Sequence, residues 1–291
     1  MERILVPLDG SVLSEAIVPV AEILARNYGA ELLLLRAVRP RTIPGSDALE
    51  TDVNLAGEAE AYLKRGAGEL QERGLPRISW SVWFEKPERA IAEAAARNHV
   101  DLIAMTTHGR TGLGRLLLGS VAESLVRQAP APVLLVRGAP AWRPGEITKI
   151  LVPLDGSELS AEILPVVKRL AGPLDLSIVL LHVVEPTHPA ARGEVSARLE
   201  EMARLRLIDA DGYLAKVADS LQAKGLRVRY AVRVGRAVDV IPEYARNEEI
   251  GLIAMTTHGR SGLGRLFFGS VAEQVLRTAT VPVLVWKARE D

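Results

Sequence analysis

Cysteine is absent from the 291-residue chain. Its absence excludes disulfide frameworks, zinc–thiolate sites, iron–sulfur clusters and thiol nucleophiles together. Charge of one sign is lacking too: 36 Lys and Arg balance 36 Asp and Glu. A neutral chain offers no bulk field to draw it to nucleic acid or an anionic membrane. Aromatic residues make up only 4% of the sequence. Trp80 and Trp83 sit close together but read as sheet or surface aromatics rather than a base-stacking platform. No apolar run approaches the ~18 residues of a membrane span. The first ten residues reach Asp9 without a long apolar core, so no secretory signal is expected there. A cytoplasmic location is the expectation.

What is present is a repeat. Val6–Ser11 (VPLDGS) recurs as Val152–Ser157, and Leu102–Glu123 recurs as Leu252–Glu273. The second pair differs only at Thr111/Ser261, Leu117/Phe267 and Leu118/Phe268. The spacing between copies grows from 146 (152 − 6) to 150 (252 − 102), which places a small net insertion around Pro186 to Asp211. Two units of this length mean a duplicated domain rather than a solenoid. The Pro- and Gly-rich stretch Gly138–Gly145 reads as a linker. The expected boundaries are 1–138 for the first domain, 139–147 for the linker and 148–291 for the second domain.

Strand and helix patterns alternate in each copy. Arg3–Leu8 is a short apolar run of the kind buried on both faces of a sheet. Ser14–Tyr28 carries a helical apolar period, with Pro19 inside it, so the helix begins nearby or kinks there. Strands are predicted at Glu31–Val38, Ile78–Phe84, Leu102–Met105 and Val133–Val136, with helices at Leu55–Arg73, Pro87–Asn98 and Ser120–Gln128. Strands separated by helices need crossovers, which implies an α/β fold with a mostly parallel sheet covered on both faces. Ligands bind such sheets beyond the carboxyl ends of the strands, where strand order reverses. The Gly- and Ser-rich segments come after the first and fourth strands.

The segment Thr106–Gly109, nine residues, then Gly119-Ser120 is the densest in chemistry. Its glycines let backbone amides approach an anion, and a helix starting at Ser120 would present unpaired N–H groups and a favourable dipole. Arg110 and Arg115 would add charge-assisted bonds. Ser120-Val-Ala-Glu123 also fits a capping box, and a capped helix start needs no ligand. Both readings are open on spacing alone. Asp9 and Asp155 fit either a ribose or metal contact or a turn before a helix. His108 and His258 fit phosphate contacts or histidines satisfied by loop carbonyls, and no base is placed on a nucleophile.

These residues together resemble the ATP-binding branch of the universal stress protein family, twice, over nearly the whole chain. The resemblance implies two tandem Rossmann-like domains, each with a five-stranded parallel sheet of order 3-2-1-4-5. It implies that Gly109, Gly119, Ser120 and Val121 meet phosphates, Pro7 and Asp9 lie near adenine and ribose, and Ala37 offers backbone contacts to adenine. The matching second-copy residues are Gly259, Gly269, Ser270, Val271, Pro153, Asp155 and Val183. Thr106 and Thr256 stand where the family motif has its first glycine; each either crowds the ligand or donates a hydroxyl to phosphate.

The expected function is therefore ATP binding in a stress-response or regulatory role, with Mg²⁺ carried by the phosphates and no strong catalysis. A slow ATPase and a nucleotide-free scaffold are the alternatives. Adenylating enzymes of similar fold carry paired glycines after the first strand, which Asp9-Gly-Ser11 lacks. The resemblance also implies an internal pseudo-dimer of the two domains through their apolar last strands, Val133–Val136 and Val281–Trp286, and leaves a homodimer of chains open.

Overall fold

The structure is a computed structural model, and it describes residues 1–39, 48–107, 118–137, 147–186, 194–257 and 269–287. It divides into two compact units, Met1–Pro144 and Gly145–Asp291.

In the first unit, β1 (Arg3–Pro7) pairs in parallel with β2 (Glu31–Ala37) on one side and β4 (Leu102–Thr106) on the other. Outside them lie β3 (Ile78–Trp83) and β5 (Val133–Val136), giving the order β3-β2-β1-β4-β5 with every described pairing parallel. In the second unit the corresponding strands are β6 (Lys149–Pro153), β7 (Ser177–Val184), β8 (Val228–Val234), β9 (Leu252–Thr256) and β10 (Val283–Trp286). Their order, β8-β7-β6-β9-β10, repeats the first. The expected 3-2-1-4-5 sheet is thus present in both units.

The apolar runs explain the central position of β1. Ile4, Leu5 and Val6 have no solvent exposure, nor do Ile150, Leu151 and Val152 of β6. A strand without a polar face is stable only where helices cover both sides of the sheet. Those helices present small apolar stripes: Val20, Ala21, Leu24 and Ala25 from α2 (Val18–Tyr28), and Ala90, Ile91, Ala94 and Ala95 from α4 (Pro87–Arg97).

Pro19 divides the predicted first helix. A four-residue α1 (Val12–Glu15) comes first, and α2 restarts with the proline in its first turn, where its missing N–H costs nothing. Pro165 does the same between α6 (Glu158–Ala161) and α7 (Leu164–Ala171). The helix α3 spans Ala48–Glu72 and starts seven residues before the predicted Leu55 (55 − 48), because Ala48-Leu-Glu favours helix without an apolar period. Its counterpart α8 (Glu194–Gln222) has 29 residues against 25, so the extra length of the second copy lies at least partly in helix.

Candidate functional site

The order of each sheet reverses between its first and fourth strands, and the site is built from the turns and helix starts at the carboxyl ends of those two strands. After β1 the chain makes one more sheet bond, from Leu8 N to Leu35 O at 2.8 Å, and then turns at Asp9. Asp9 Oδ1 accepts from Ser11 N at 2.9 Å and Ser11 Oγ at 2.6 Å. Ser11 Oγ in turn accepts from Ser14 N at 3.1 Å and so caps α1. Asp155, Ser157 and Ser160 repeat these bonds in the second unit. The turn reading of the two aspartates is therefore present in the fold, at the carboxyl ends of the central strands. Gly10 has φ +81°, and a Cβ there would meet the Arg36 guanidinium at 3.3 Å.

Thr106 and Thr256 end β4 and β9 inside the sheet, in register with Val136 and Trp286. Both are buried in extended strand, and neither has a positive φ. A β-branched residue suits that conformation, so the backbone strain that a threonine risked at this place does not arise. The chain then returns to the sheet: Gly119 N bonds Thr107 O, and Gly269 N bonds Thr257 O, each at 2.9 Å.

Helices α5 (Ser120–Gln128) and α10 (Ser270–Thr278) start at these closures. Their N-caps are Gly119 and Gly269, and among the described residues no side chain caps either helix. The capping box expected at Ser120-Val-Ala-Glu123 is not formed. Ser120 is already the first helical residue, which puts Glu123 one position too late to reach back to the cap. Glu123 instead pairs with Arg127, and Glu273 pairs with Arg277 at 2.7 Å. The first amides of both helices are thus left for another acceptor.

In the second unit these parts enclose a cleft of about 110 Å³. Its lining includes apolar side chains, Val183 near the end of β7, Ala237 and Ile241 on α9 (Ala237–Asn247) and Met255 on β9. It also includes Asp155, Ser160, Thr256, Thr257 and the turn Gly269-Ser270-Val271, together with Pro153. Seven residues singled out in the sequence of this unit meet here: Pro153, Asp155, Val183, Thr256, Gly269, Ser270 and Val271. Sequence reasoning missed Ser160, Ala237, Ile241 and Thr257. Ser160 was within reach through its spacing from Asp155; Ala237 and Ile241 come from a helix whose approach only the packing decides. In the first unit Pro7, Asp9, Ala37, Thr106, Gly119, Ser120 and Val121 hold the equivalent strand ends and helix start. His108, Gly109, Arg110, Arg115, His258 and Gly259 lie outside the described residues.

The neighbourhoods of the two turns differ. In the first unit Arg36 lies 5.0 Å from the Tyr62 ring, whose hydroxyl donates to Glu15 at 2.8 Å. Burial first, and then the Glu15 bond, push the Tyr62 hydroxyl well above the ordinary phenol range. In the second unit the matching pair is His182 and Tyr213, edge to face at 6.4 Å. Burial and then the Asp155 charge raise Tyr213. Glu85 of the first unit is replaced by Gly235, which has φ +150°. A Cβ at Gly235 would meet Val240 Cγ2 at 2.7 Å. Gly235→Ala is expected to cost about 1–3 kcal/mol, as a strained turn does, and a urea titration measures it. Trp83 is better surrounded than its sequence suggested, with the Arg97 guanidinium 5.3 Å from its ring.

The profile of the Universal stress protein family matches residues 1–137 and again 146–287. The chain belongs to this family. A universal stress protein of Synechocystis sp. is 26% identical over 99% of this chain and its own full length. A universal stress protein of Thermus aquaticus is 35% identical over 47% of this chain and 98% of its own. Among solved structures, a universal stress protein from Archaeoglobus fulgidus superposes with a TM-score of 0.70 at 22% identity, covering 98% of each chain. No helix among the described residues is long and apolar enough to cross a membrane.

Proposed function

We propose that each unit of this universal stress protein binds an adenine nucleotide, with ATP as the fitting ligand and Mg²⁺ arriving on its phosphates. The observation that carries this reading is the cleft of the second unit, lined both by apolar side chains and by a helix start without a side-chain cap. A base fits against Val183, Ala237, Ile241 and Met255, where burial of its faces supplies the affinity. Phosphates fit the free amides of Ser270 and Val271, where the helix dipole favours negative charge. Ribose lies between the two, against Pro153 and Asp155. Ser120, Val121, Pro7, Asp9 and Ala37 take the same roles in the first unit. No residue is assigned a catalytic role. A regulatory protein would expose the difference between its nucleotide-bound and free states to its partners.

Millimolar ATP with Mg²⁺ is expected to raise the melting temperature, since a ligand at 100 times its Kd stabilises by about 2.7 kcal/mol. No shift in melting and no retention in equilibrium dialysis would reject the proposal. Asp155→Asn separates the two roles of that residue. The amide oxygen preserves the bonds from Ser157 N and Oγ, so the turn survives while an ionised ribose acceptor is lost. Weaker ATP binding of roughly tenfold at unchanged stability is expected, the scale of one charge-assisted bond. Equal binding by the variant would assign Asp155 to the turn alone.

A further inference from the structure

The second unit carries an apolar seam that faces away from its own core. Among the described residues, buried side chains on α8 begin at Ala210 and continue through Leu214, Ala218 and Leu221. None of the described side chains in the preceding half of the helix is buried, and Met202, Leu205 and Ile208 are about half exposed (49%, 50% and 57%). At about 100° per residue, Met202 and Leu205 sit roughly 115° and roughly 175° around the helix from the centre of the buried stripe. They therefore do not continue the packing against β7 and β8.

Arg198, Met202, Leu205 and Asp209 fall on one strip about 60° wide, spaced four, three and four residues apart, the alternation of a coiled-coil seam. Neither Arg198 nor Asp209 makes an ion pair among the described residues. The strip is self-complementary. When two such helices run antiparallel about a twofold between Ala203 and Arg204, Met202 of each copy meets Leu205 of the other. Arg198 of each copy then meets Asp209 of the other. A parallel arrangement would place Arg198 on Arg198 and Asp209 on Asp209, so charge selects the antiparallel register.

We infer that α8 docks on a second copy of this chain through an isologous, antiparallel contact, two apolar layers closed at each end by an Arg198–Asp209 pair. The contact is short, so the association is weak and concentration-dependent.

Sedimentation velocity from low micromolar to submillimolar protein tests it, with circular dichroism as the check on helix content. The expected result is a shift from one chain toward two as concentration rises. Leu205→Glu, at a half-exposed position, abolishes the shift without loss of helix. Arg198→Asp and Asp209→Arg each weaken self-association roughly tenfold or more by facing like charges across the contact. Mixing these two variants restores it, because every Asp of one chain then faces an Arg of the other. A single chain at all concentrations would overturn the inference and leave the seam to a different protein. Association that survives Leu205→Glu, or a mixture that is not restored, would overturn it as well.

Discussion

Ser270→Pro is expected to bind ATP about 10–100-fold more weakly while folding as the parent does, the loss of one or more bonds from backbone amide to charged phosphate. The residue before it, Gly269, has φ −58° and ψ 138°, the extended conformation that a following proline requires. Ser270 is the first residue of α10, where a proline ring fits and the missing N–H breaks no intrahelical bond. The substitution therefore deletes a donor and leaves the helix intact. Ser270→Ala controls for the hydroxyl and retains the amide. Isothermal titration of the three proteins decides between them. Equal affinity in all three would remove the helix start from the site, and a loss in Ser270→Ala as large as that in Ser270→Pro would give the hydroxyl the role assigned to the amide. Ser120→Pro makes the same comparison in the first unit, where Gly119 has φ −63° and ψ 147°.

Leu5→Ala is expected to destabilise the first unit by about 2–5 kcal/mol, the range for a leucine removed from a packed core. Leu5 has no exposure and is the middle residue of β1, which is bonded to β2 on one side and β4 on the other. Helices cover both faces there, so surrounding side chains have little freedom to collapse into the space. A chain with two cores need not unfold in one step, and a single midpoint would then blur the effect. Hydrogen exchange resolves it: amides of β1, β2 and β4 lose protection first. Leu151→Ala, at the matching place in β6, transfers the effect to β6, β7 and β9. Equal loss of protection in both units from either substitution would show that the two cores unfold together.

Much of the fold was legible because the runs that form it are short, apolar and repeated. Ile4-Leu-Val and Ile150-Leu-Val have no polar face, so each had to lie in the middle of a covered sheet. The helix periods at Val20–Ala25 and Ala122–Val126 arise from one buried face. Less legible were the helix ends. Four residues fit a capping box at Ser120–Glu123, but a box forms only if Ser120 precedes the helix. Bonding of Gly119 to Thr107 advances the helix start by one residue. Pattern matching cannot see that bond, since its partners lie on either side of a long connection.

The candidate site divides along the same line. The strand order was implied by the family resemblance; by itself the sequence determined the duplicated α/β units and the placing of Asp9, Ser120 and their counterparts after the first and fourth strands of each unit. These are consequences of local periodicity and of chain connectivity, both written in one dimension. Only the tertiary structure decided that Thr256 is accommodated in extended strand, that Asp155 turns its oxygen to Ser157, and that Ala237 and Ile241 line the cleft. Those outcomes depend on how a helix settles against a sheet and on which amides are left unpaired when it does. Such contacts join residues far apart in the chain, and their geometry is fixed by packing rather than by any neighbour in sequence.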